Sequence, residues 1–437
     1  MAMPVRFGTD GIRGRAYEQI TVDLAYRLGR AVASVFSVPV FVGYDTRESS
    51  PELARAVLAG LSDGGATSVN LGYFTTPGVA VIAQQRNGAG IVVSASHNPF
   101  YDNGLKVLGV GGAKLDHATE HAVTLALNEA PSPNSEDFND VPVDVTAEHD
   151  YAVHLRHLVP GDISALRLVL DCANGAASHV AHELFEGTGA SVTTLHDKPN
   201  GRNINDHCGS TDVTSLVAKV KELGADLGLA FDGDADRLIA VDDEGHVRDG
   251  DDMMVLFALD FRARHVRDEG LVVTTMSNLG LRQALAPSGL QLVETDVGDR
   301  NVLMALEERT WSFGGEQSGH LIFRDLAPTG DGLLTGLMLC DLVARHGALS
   351  LQAREAWRRV PQALINIDKT IFDDEKVRVL YEELRAGFAV PDDDVRLLVR
   401  PSGTEPVVRV MIEALDAEFV TEFTNQLRSI FAVSSVA

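Results

Sequence analysis

The stretch Val38-Pro-Val-Phe-Val-Gly43 is apolar, and it is followed by a helical segment over residues 51–62 and a second apolar run, Ala66-Thr-Ser-Val-Asn-Leu71. This order of strand, polar loop, helix, glycine-containing break and strand predicts one strand-helix-strand unit. Two further units follow the same order, at residues 168–195 and 271–293. Because parallel strands need helical crossovers, the three units predict three similar α/β domains with mixed, largely parallel sheets.

The last part of the chain has a different pattern. After Pro361 come three short strands, over residues 363–367, 395–400 and 407–413, and then a terminal helix with an apolar stripe. This predicts a smaller α+β domain. The polar breaks place the four domains at residues 1–150, 151–252, 253–360 and 361–437. Each predicted domain carries one distinctive polar loop, so we expect the domains to surround a central cleft.

The composition of the 437 residues is that of a soluble globular protein, with a formal net charge of −25. Without a Lys/Arg cluster, this charge disfavours nucleic acid and an anionic membrane surface as partners. The start of the chain lacks an apolar signal region, so we expect a cytoplasmic location. Cys172, Cys208 and Cys340 are widely spaced without a CxxC pair, which argues against a disulfide framework and against a thiolate metal site.

The loop Val93-Ser94-Ala95-Ser96-His97-Asn98-Pro99 follows an apolar run that begins at Gly90. It would present the Ser96 hydroxyl at a strand end, between an imidazole and an amide. Taken alone, such a string is also typical of an ordinary turn. A second candidate loop, Phe7-Gly-Thr-Asp-Gly-Ile-Arg-Gly14, has three glycines and the single cation Arg13.

The segment Ala230-Phe-Asp-Gly-Asp-Ala-Asp-Arg237 alternates three carboxylates between apolar strands. Three carboxylates this close require a cation unless they are solvated, and all-oxygen ligands favour Mg²⁺ over zinc. Arg237 stands where an EF-hand loop needs glycine, which excludes that motif. The alternative is an exposed acidic turn.

Two more loops carry candidate binding residues. Arg400-Pro-Ser-Gly-Thr-Glu-Pro406, with Arg409 beyond it, supplies the donors that a phosphate needs, although a plain hairpin turn is the alternative. Gly314-Gly-Glu-Gln-Ser-Gly-His320 offers groups that can bind sugar hydroxyls. By contrast, the local sequence predicts that Lys106, Asp45 and Arg47 are solvated surface charges, because isolated charged residues are more often solvated than catalytic.

In all four motifs and in their order, the chain resembles the α-D-phosphohexomutase family over essentially its whole length. The matching stretches, quoted above, are residues 94–99, 232–237, 315–320 and 400–406. Within that family it is most similar to the bacterial glucosamine-directed members, on residues 7–14, 96–104, 275–278, 297–300 and 409–411. Gln317, where mannose- and glucose-directed members commonly have Met, favours the same subgroup.

The resemblance implies an intramolecular phosphotransferase, an isomerase that interconverts glucosamine 6-phosphate and glucosamine 1-phosphate and feeds UDP-N-acetylglucosamine and cell-wall precursor synthesis. It implies a phosphoserine at Ser96, a glucosamine 1,6-bisphosphate intermediate and one Mg²⁺ held by Asp232, Asp234, Asp236 and the serine phosphate. Arg13, His97, Lys106 and Arg237 would surround the transferring phosphoryl group. The implied substrate-binding residues are Glu316, Ser318, Arg400, Ser402, Gly403, Thr404 and Arg409.

Three alternatives remain open at this point. A phosphomannomutase or phosphoglucomutase would use the same mechanism on another sugar. A Ser-His hydrolase is poorly supported, because His97 adjoins Ser96 and there is no G-x-S-x-G elbow. An inactive sugar-phosphate sensor is disfavoured by the intact Ser96 and aspartates.

Ala235 stands where many family members have Gly, and we expect metal binding to tolerate it if its φ is below zero. The sequence leaves open whether the chain forms a homodimer.

Overall fold

The fold was analysed in a computed structural model, which describes residues 11–159, 161–267, 269–402 and 406–433. The chain divides into two compact units. One contains the described residues up to Met276 together with Leu290–Glu355, and the other contains Ser277–Gly289 and the described residues from Ala356 onward. The three larger sheets belong to the first unit and the small C-terminal sheet to the second.

The first sheet has the strand order β1-β5-β4-β2-β3. Strands β3, β2 and β4 pair in parallel, while β5 is antiparallel to both β4 and β1. The elements of this part are β1 (Ile12–Arg15), α1 (Val22–Val35), β2 (Val40–Tyr44), α2 (Ser50–Asp63), β3 (Ser68–Tyr73), α3 (Thr76–Gln85), β4 (Ala89–Val93), β5 (Asp102–Leu108) and α4 (His117–Glu129). The first predicted strand-helix-strand unit is therefore confirmed.

The second sheet repeats this arrangement with the order β10-β9-β8-β6-β7. Its strands β7, β6 and β8 are parallel, and β9 returns antiparallel to β8. The elements are α5 (Ala147–Leu158), β6 (Arg167–Asp171), α6 (Ala177–Glu186), β7 (Ser191–Leu195), α7 (Thr214–Leu223), β8 (Leu227–Phe231), β9 (Leu238–Asp242) and β10 (Val247–Arg248). The aspartate-rich segment lies between β8 and β9, flanked by strands as predicted.

The third sheet has the order β12-β11-β13-β14, with β11 parallel to both β12 and β13. Its region contains α8 (Gly250–Arg264), β11 (Leu271–Thr274), α9 (Leu279–Leu285), β12 (Leu292–Thr295), α10 (Asp299–Arg309), β13 (Phe313–Gly315), β14 (Leu321–Phe323), α11 (Gly332–His346) and α12 (Leu349–Ala356). The predicted third unit has the expected strands and crossover helix. However, α9 packs in the second compact unit, whereas β11 and β12 belong to the first.

The second compact unit has an antiparallel sheet of order β15-β17-β16. Its further elements are β15 (Gln362–Asp368), α13 (Asp374–Phe388), β16 (Val395–Pro401), β17 (Val407–Ala414) and α14 (Ala417–Ile430). The apolar stripe of α14, which includes Phe419 and Phe423, is buried in the core of this unit, as predicted. The sequence analysis did not predict α13, whose apolar residues Val377 and Leu380 are buried in the same core.

Helix α9 is held in the second unit by a buried polar network. The Asn278 side chain accepts a hydrogen bond from the Gly280 amide and donates to Glu413 Oε1 at 3.1 Å. Glu413 is fully buried and forms an ion pair with Arg396 at 2.6 Å. A buried carboxylate needs such partners, which explains why this helix packs with the C-terminal sheet.

Across the described residues, no single helix is both long and apolar enough to cross a membrane. Helices α11 and α12 pass that test only when they are joined, and they are bent by 89° relative to each other. Residues Gly332 to Val343 of α11 are buried inside the first unit.

Candidate active site

The Ser96 loop lies at the edge of the first sheet where the parallel strands β2 and β4 end. Strand β4 ends at Val93, and the backbone at Ser96 has a φ of 53°, in the left-handed region that few residues other than glycine adopt. Ser96 is fully buried. Such a conformation persists only where the surroundings enforce it, and it is common at functional sites.

A buried ion pair enforces the shape of this loop. Arg47 and Asp45 are both fully buried, and their side chains meet at 2.9 Å. The Arg47 guanidinium donates hydrogen bonds to the carbonyl oxygens of Ser96 at 2.8 Å and Pro99 at 2.6 Å. Asp45 accepts from the Ser94 hydroxyl at 2.6 Å, and that hydroxyl accepts from the Ser96 amide at 2.9 Å.

The prediction that Asp45, Arg47 and Lys106 are solvated surface charges is therefore wrong. All three are buried. Asp45 and Arg47 neutralise each other within one loop, and Lys106 is neutralised by Asp234 from the second sheet. One signal could have identified Asp45: it follows β2 directly, as Ser94 follows β4, and the carboxyl ends of neighbouring parallel strands meet at one edge.

The aspartate segment approaches Ser96 from the second sheet. Carboxylate oxygens of Asp232, Asp234 and Asp236 all lie within 4.8 Å of one another, and all three residues are buried. The Ser96 hydroxyl donates to Asp232 Oδ2 at 2.6 Å, and its distance to His97 Nδ1 is 3.3 Å. Because the hydroxyl proton is directed at a carboxylate, the geometry does not favour a Ser-His hydrolase pair.

Lys106 provides positive charge beside this carboxylate cluster. Its ammonium donates to Asp234 Oδ2 at 2.7 Å and lies 3.6 Å from Asp236 Oδ2. Thr76, at the start of α3, also donates to Asp234 Oδ2, at 2.6 Å. The motif pattern gave no sign of Thr76, because only the packing of the first two sheets brings it there.

The negative charge of the three aspartates that Lys106 does not neutralise would suit a bound cation. Burial, followed by the charges of Asp236 and Asp234, raises the pKa of Asp232 well above its usual range. Within the described part of the chain, Oδ1 of Asp234 and Oδ1 of Asp236 have no hydrogen-bond partner although both are buried. Unsatisfied buried carboxylate oxygens are costly, and a hard divalent cation such as Mg²⁺ satisfies them.

Ala235, inside this segment, has a φ of 58° and is fully buried. The condition under which metal binding was expected to tolerate this alanine, a φ below zero, is therefore not met. Its amide donates to the Asp232 carbonyl at 3.0 Å, so the turn that aligns the aspartates forms with an alanine in the left-handed conformation.

Three further predicted residues surround Ser96. Burial, with smaller contributions from the charges of Arg237 and Arg13, lowers the pKa of His97 to about 4, so the imidazole is neutral near pH 7. Arg13 lies on β1 opposite Gly104 of β5. The Arg237 amide donates to Asp232 Oδ1 at 3.2 Å. Arg13 and Arg237 are thus close enough to His97 to lower its pKa.

The loop from Gly315 to His320 is fastened to the aspartate segment. The Leu238 amide donates to the Gly319 carbonyl at 3.1 Å, and a Cβ on Gly319 would lie only 2.0 Å from the Leu238 carbonyl oxygen. Glu316 is buried and accepts from the Gly298 amide at 2.9 Å, while Ser318 is half-buried. The fold thus brings the predicted sugar loop beside the carboxylate cluster.

His320 also lies in this site. The sequence analysis gave His320 no role beyond its place in the loop. It is almost fully buried, with Nδ1 3.7 Å from Asp236 Oδ1 and Nε2 3.6 Å from Asp299 Oδ2. Burial lowers the pKa of His320, but the neighbouring Asp236 and Asp299 outweigh burial and leave this pKa above its usual value.

The predicted phosphate loop lies in the second compact unit. Arg400 of β16 is directly opposite Arg409 of β17, so the two guanidiniums start from neighbouring backbone positions. The Ser402 amide donates to the Val407 carbonyl at 2.8 Å, and Lys369 donates to the Ser402 carbonyl at 3.2 Å. Gly403 and Thr404 lie outside the described residues. Lys369 is a third cation here that the sequence motif did not include.

Comparison with known proteins agrees with this geometry. The profiles of four phosphoglucomutase/phosphomannomutase domains match the chain in order: α/β/α domains I, II and III at residues 4–133, 149–245 and 249–360, and the C-terminal domain at residues 362–430. The chain belongs to the phosphoglucomutase/phosphomannomutase family. Membership of this family makes it a sugar-phosphate mutase, an isomerase with four α/β domains of which the C-terminal one is smaller.

Relatives of the mutase include the phosphoglucosamine mutase of Thermobifida fusca, which is 42% identical over 97% of each chain. Among solved structures, a phosphoglucomutase/phosphomannomutase family protein from Burkholderia thailandensis is 25% identical with a TM-score of 0.80, covering 98% of this chain and 97% of that one. Aspergillus fumigatus N-acetylphosphoglucosamine mutase, solved in complex with GlcNAc-6P and magnesium, is 18% identical with a TM-score of 0.66, covering 97% and 95% of the two chains. The last likeness concerns the fold alone.

Proposed function

We propose that this mutase interconverts glucosamine 6-phosphate and glucosamine 1-phosphate, with Ser96 as the phosphoryl carrier. The observation that carries the proposal is the 2.6 Å hydrogen bond from Ser96 to Asp232, inside the carboxylate cluster that Lys106 borders. The 42% identity to a phosphoglucosamine mutase over nearly the whole chain supports glucosamine as the sugar. Its product would supply UDP-N-acetylglucosamine synthesis in the cytoplasm.

In the first half-reaction, the bond between phosphorus and Ser96 Oγ breaks as the C1 hydroxyl oxygen of glucosamine 6-phosphate bonds to phosphorus. The C1 hydroxyl proton passes to a nearby base, the Ser96 oxygen takes up a proton, and the products are glucosamine 1,6-bisphosphate and the free serine. In the second half-reaction, the bond between phosphorus and the C6 oxygen breaks as Ser96 Oγ bonds to phosphorus. The serine hydroxyl loses its proton to a base, and the C6 oxygen takes up a proton to give glucosamine 1-phosphate. Phosphoryl transfer of this kind depends on positioning and charge neutralisation rather than on further covalent help.

The residues around Ser96 suit these needs. The Asp45–Arg47 pair fixes the backbone of residues 96–99, so the serine oxygen is held in one position. His97 is neutral near pH 7. Its Nδ1 lies 3.3 Å from the Ser96 hydroxyl oxygen, so the two groups can form a hydrogen bond. Arg13, Lys106 and Arg237 would balance the charge of the phosphoryl group. Lys106 or a neighbouring group would move the sugar protons.

Asp232, Asp234 and Asp236, with the phosphate on Ser96, would hold one Mg²⁺. When bound, that ion supplies charge neutralisation for the transferring phosphoryl group. Glu316 and Ser318 would bind sugar hydroxyls. The phosphate that is not being transferred would bind Arg400, Ser402, Gly403, Thr404 and Arg409.

The sugar assignment is tested by the kcat/KM of the purified enzyme on glucosamine 6-phosphate, glucose 6-phosphate and mannose 6-phosphate. We expect the amino sugar to be preferred. A preference for mannose or glucose would contradict the assignment while leaving the mutase chemistry intact.

Gln317→Met is an informative companion variant, because Gln317 lies in the sugar loop and donates to Asp251 at 3.1 Å. We expect it to lower the preference for the amino sugar.

A further inference from the structure

A second group of metal-ligating side chains lies at the carboxyl edge of the second sheet. Asp171 is the last residue of β6, and His196 directly follows β7. Because β6 and β7 are parallel neighbours, with Asp171 opposite Leu195, their carboxyl ends meet and bring the two side chains together. Residues 197–207 then loop back and place Cys208 beside them.

The three side chains have the separations of a metal site. One ligand atom from each of Asp171, His196 and Cys208 lies within 4.8 Å of the others. His196 Nδ1 is 3.0 Å from Asp171 Oδ2, a separation that two ligands of one tetrahedral ion also have. The Asp171 and Cys208 side chains are buried, whereas the His196 side chain is 29% exposed.

The hydrogen bonds of this group involve only some of its buried polar atoms. The Asp171 Oδ1 atom accepts a hydrogen bond from the Ala173 amide at 2.9 Å. In the described part of the structure, however, neither Asp171 Oδ2 nor His196 Nδ1 has an aligned hydrogen-bond partner, despite their proximity and burial. A fully buried carboxylate oxygen left in this state is costly, and a cation would satisfy it.

The surrounding charge also favours a cation. The short side-chain contact with Asp171, followed by the charges of Asp171, Asp197 and Asp212, raises the pKa of His196 above its usual value against the effect of burial. The nearby carboxylates therefore create a negative field at the imidazole. A protonated His196 is one way to neutralise that field, and a metal ion is the other.

We propose that Asp171, His196 and Cys208 form a second cation site, for Zn²⁺ or an ion of similar softness. A thiolate, an imidazole and a carboxylate are ligands of zinc, whereas the all-oxygen cluster at Asp232 suits Mg²⁺. Binding replaces the thiol proton of Cys208, and any proton on His196, with the metal, and the protons pass to solvent. The wide cysteine spacing hid this site, since its three ligands come from separate segments.

This site would fasten the loop that supports Ser96. Within that loop, Asn205 donates from Nδ2 to the Ser96 carbonyl at 2.9 Å and to the Asn98 carbonyl at 3.1 Å. The Asn205 amide in turn donates to the Ala173 carbonyl, two residues after Asp171. An ion on Asp171, His196 and Cys208 would therefore reduce the opening of residues 196–212 without contacting the sugar.

The test is a Co²⁺ titration of the full-length protein in excess Mg²⁺, which occupies the oxygen cluster. We expect one equivalent of Co²⁺ to give a thiolate-to-cobalt charge-transfer band in the near ultraviolet. Cys208→Ser and His196→Gln should lose the band. Cys340→Ser, which changes another buried cysteine in α11, is the matched control and should keep it. Circular dichroism confirms that each variant is folded.

A parallel measurement is hydrogen exchange of residues 196–212 with Zn²⁺ or with Mg²⁺ alone. We expect slower exchange with Zn²⁺ in the wild type and no such change in His196→Gln. The absence of a thiolate band in the wild type, its persistence in Cys208→Ser, or its loss in Cys340→Ser would overturn the proposal. None of these readouts depends on mutase activity, so they fail or succeed independently of the proposed function.

Discussion

Two regions of this mutase offer groups to phosphate, and they are built in opposite ways. Around Ser96, the charged residues Asp45, Arg47 and Lys106 are buried and paired, and the backbone is held in a left-handed conformation. On the C-terminal hairpin, Arg400 and Arg409 are half-buried side chains on neighbouring strands. The proposed transfer site thus relies on buried, paired charges, whereas the proposed phosphate-anchoring loop presents cations that are only half-buried.

The largest effect should come from the carboxylate cluster itself. Asp232→Asn removes a proposed metal ligand, and we expect kcat to fall by about 10³-fold or more, equivalent to about 4 kcal/mol. The free energy of unfolding should rise or stay unchanged, because burial and the charges of Asp236 and Asp234 already disfavour the Asp232 charge when no cation is bound. Steady-state kinetics and thermal unfolding in chelator would measure the two effects. If the variant has a kcat close to the wild-type value in saturating Mg²⁺, the contrast between the Ser96 region and the C-terminal hairpin is contradicted.

Breaking the buried ion pair should cost stability as well as activity. Arg47→Ala leaves Asp45 buried without its partner, and we expect a loss of about 3–5 kcal/mol in the free energy of unfolding. The matched control is Arg55→Ala, since Arg55 pairs with Asp140 at 3.1 Å while both side chains remain exposed. That variant should lose less than about 1 kcal/mol. Equal losses in denaturant titrations of the two variants would show that the Ser96 loop does not depend on the buried pair.

The pKa of His97 reports the charge balance around Ser96. In the unphosphorylated enzyme we expect an NMR titration to give a pKa of about 4, from 6.5 ordinarily, because of burial and the charges of Arg237 and Arg13. The unfolded chain takes up this proton near pH 6.5 and the folded one only near pH 4, so the His97 contribution to stability is lost as the pH falls between these values.

Phosphorylation of Ser96 should raise this pKa, since it places negative charge beside the imidazole. His97→Asn, as the control, should remove the corresponding part of the pH dependence of unfolding. A His97 pKa near 6.5 in the unphosphorylated enzyme would contradict the described environment.

Changes on the C-terminal hairpin should affect binding more than folding. Arg400→Ala removes a proposed phosphate donor, and we expect KM to rise by roughly 10–100-fold with a thermal midpoint close to that of the wild type. Arg378→Ala on α13, where Arg378 pairs with Asp374 in an exposed position, is the control and should leave KM unchanged. A large loss of stability in Arg400→Ala would remove the contrast between the two regions.

The smallest effect should follow Ala235→Gly. Glycine relieves a left-handed backbone cost of about 1 kcal/mol but loses more conformational entropy on folding, so the stability should change by less than about 1 kcal/mol. Ala173→Gly, at another buried alanine with a φ of 54°, gives the matched comparison outside the carboxylate cluster. A loss above about 2 kcal/mol in thermal or chemical unfolding would indicate that the Ala235 methyl supports the cluster.

The local patterns predicted the repeating strands and helices because their periodicity depends on nearby residues. The same patterns singled out Ser96 and the three aspartates as candidates, because these residues lie in short polar loops that follow buried strands. They misassigned Lys106, because its partner Asp234 is distant in the sequence. They also misassigned Arg47, because the carbonyl groups of residues 96–99 that accept its hydrogen bonds are distant as well. Thr76 and Asn205 were missed for a similar reason, since only the packing of the first two sheets brings Thr76 to Asp234 and Asn205 to the Ser96 loop.

The central claim is that Ser96 carries the phosphoryl group between the two positions of the sugar. The most direct measurement is intact-protein mass before and after a single turnover of the phosphorylated enzyme with glucosamine 6-phosphate, combined with peptide mapping of the modified residue. The account predicts the loss of one phosphoryl group from Ser96, the appearance of glucosamine 1,6-bisphosphate, and neither event in Ser96→Ala. A phosphoryl group mapped to another residue, or an active Ser96→Ala enzyme, would contradict it.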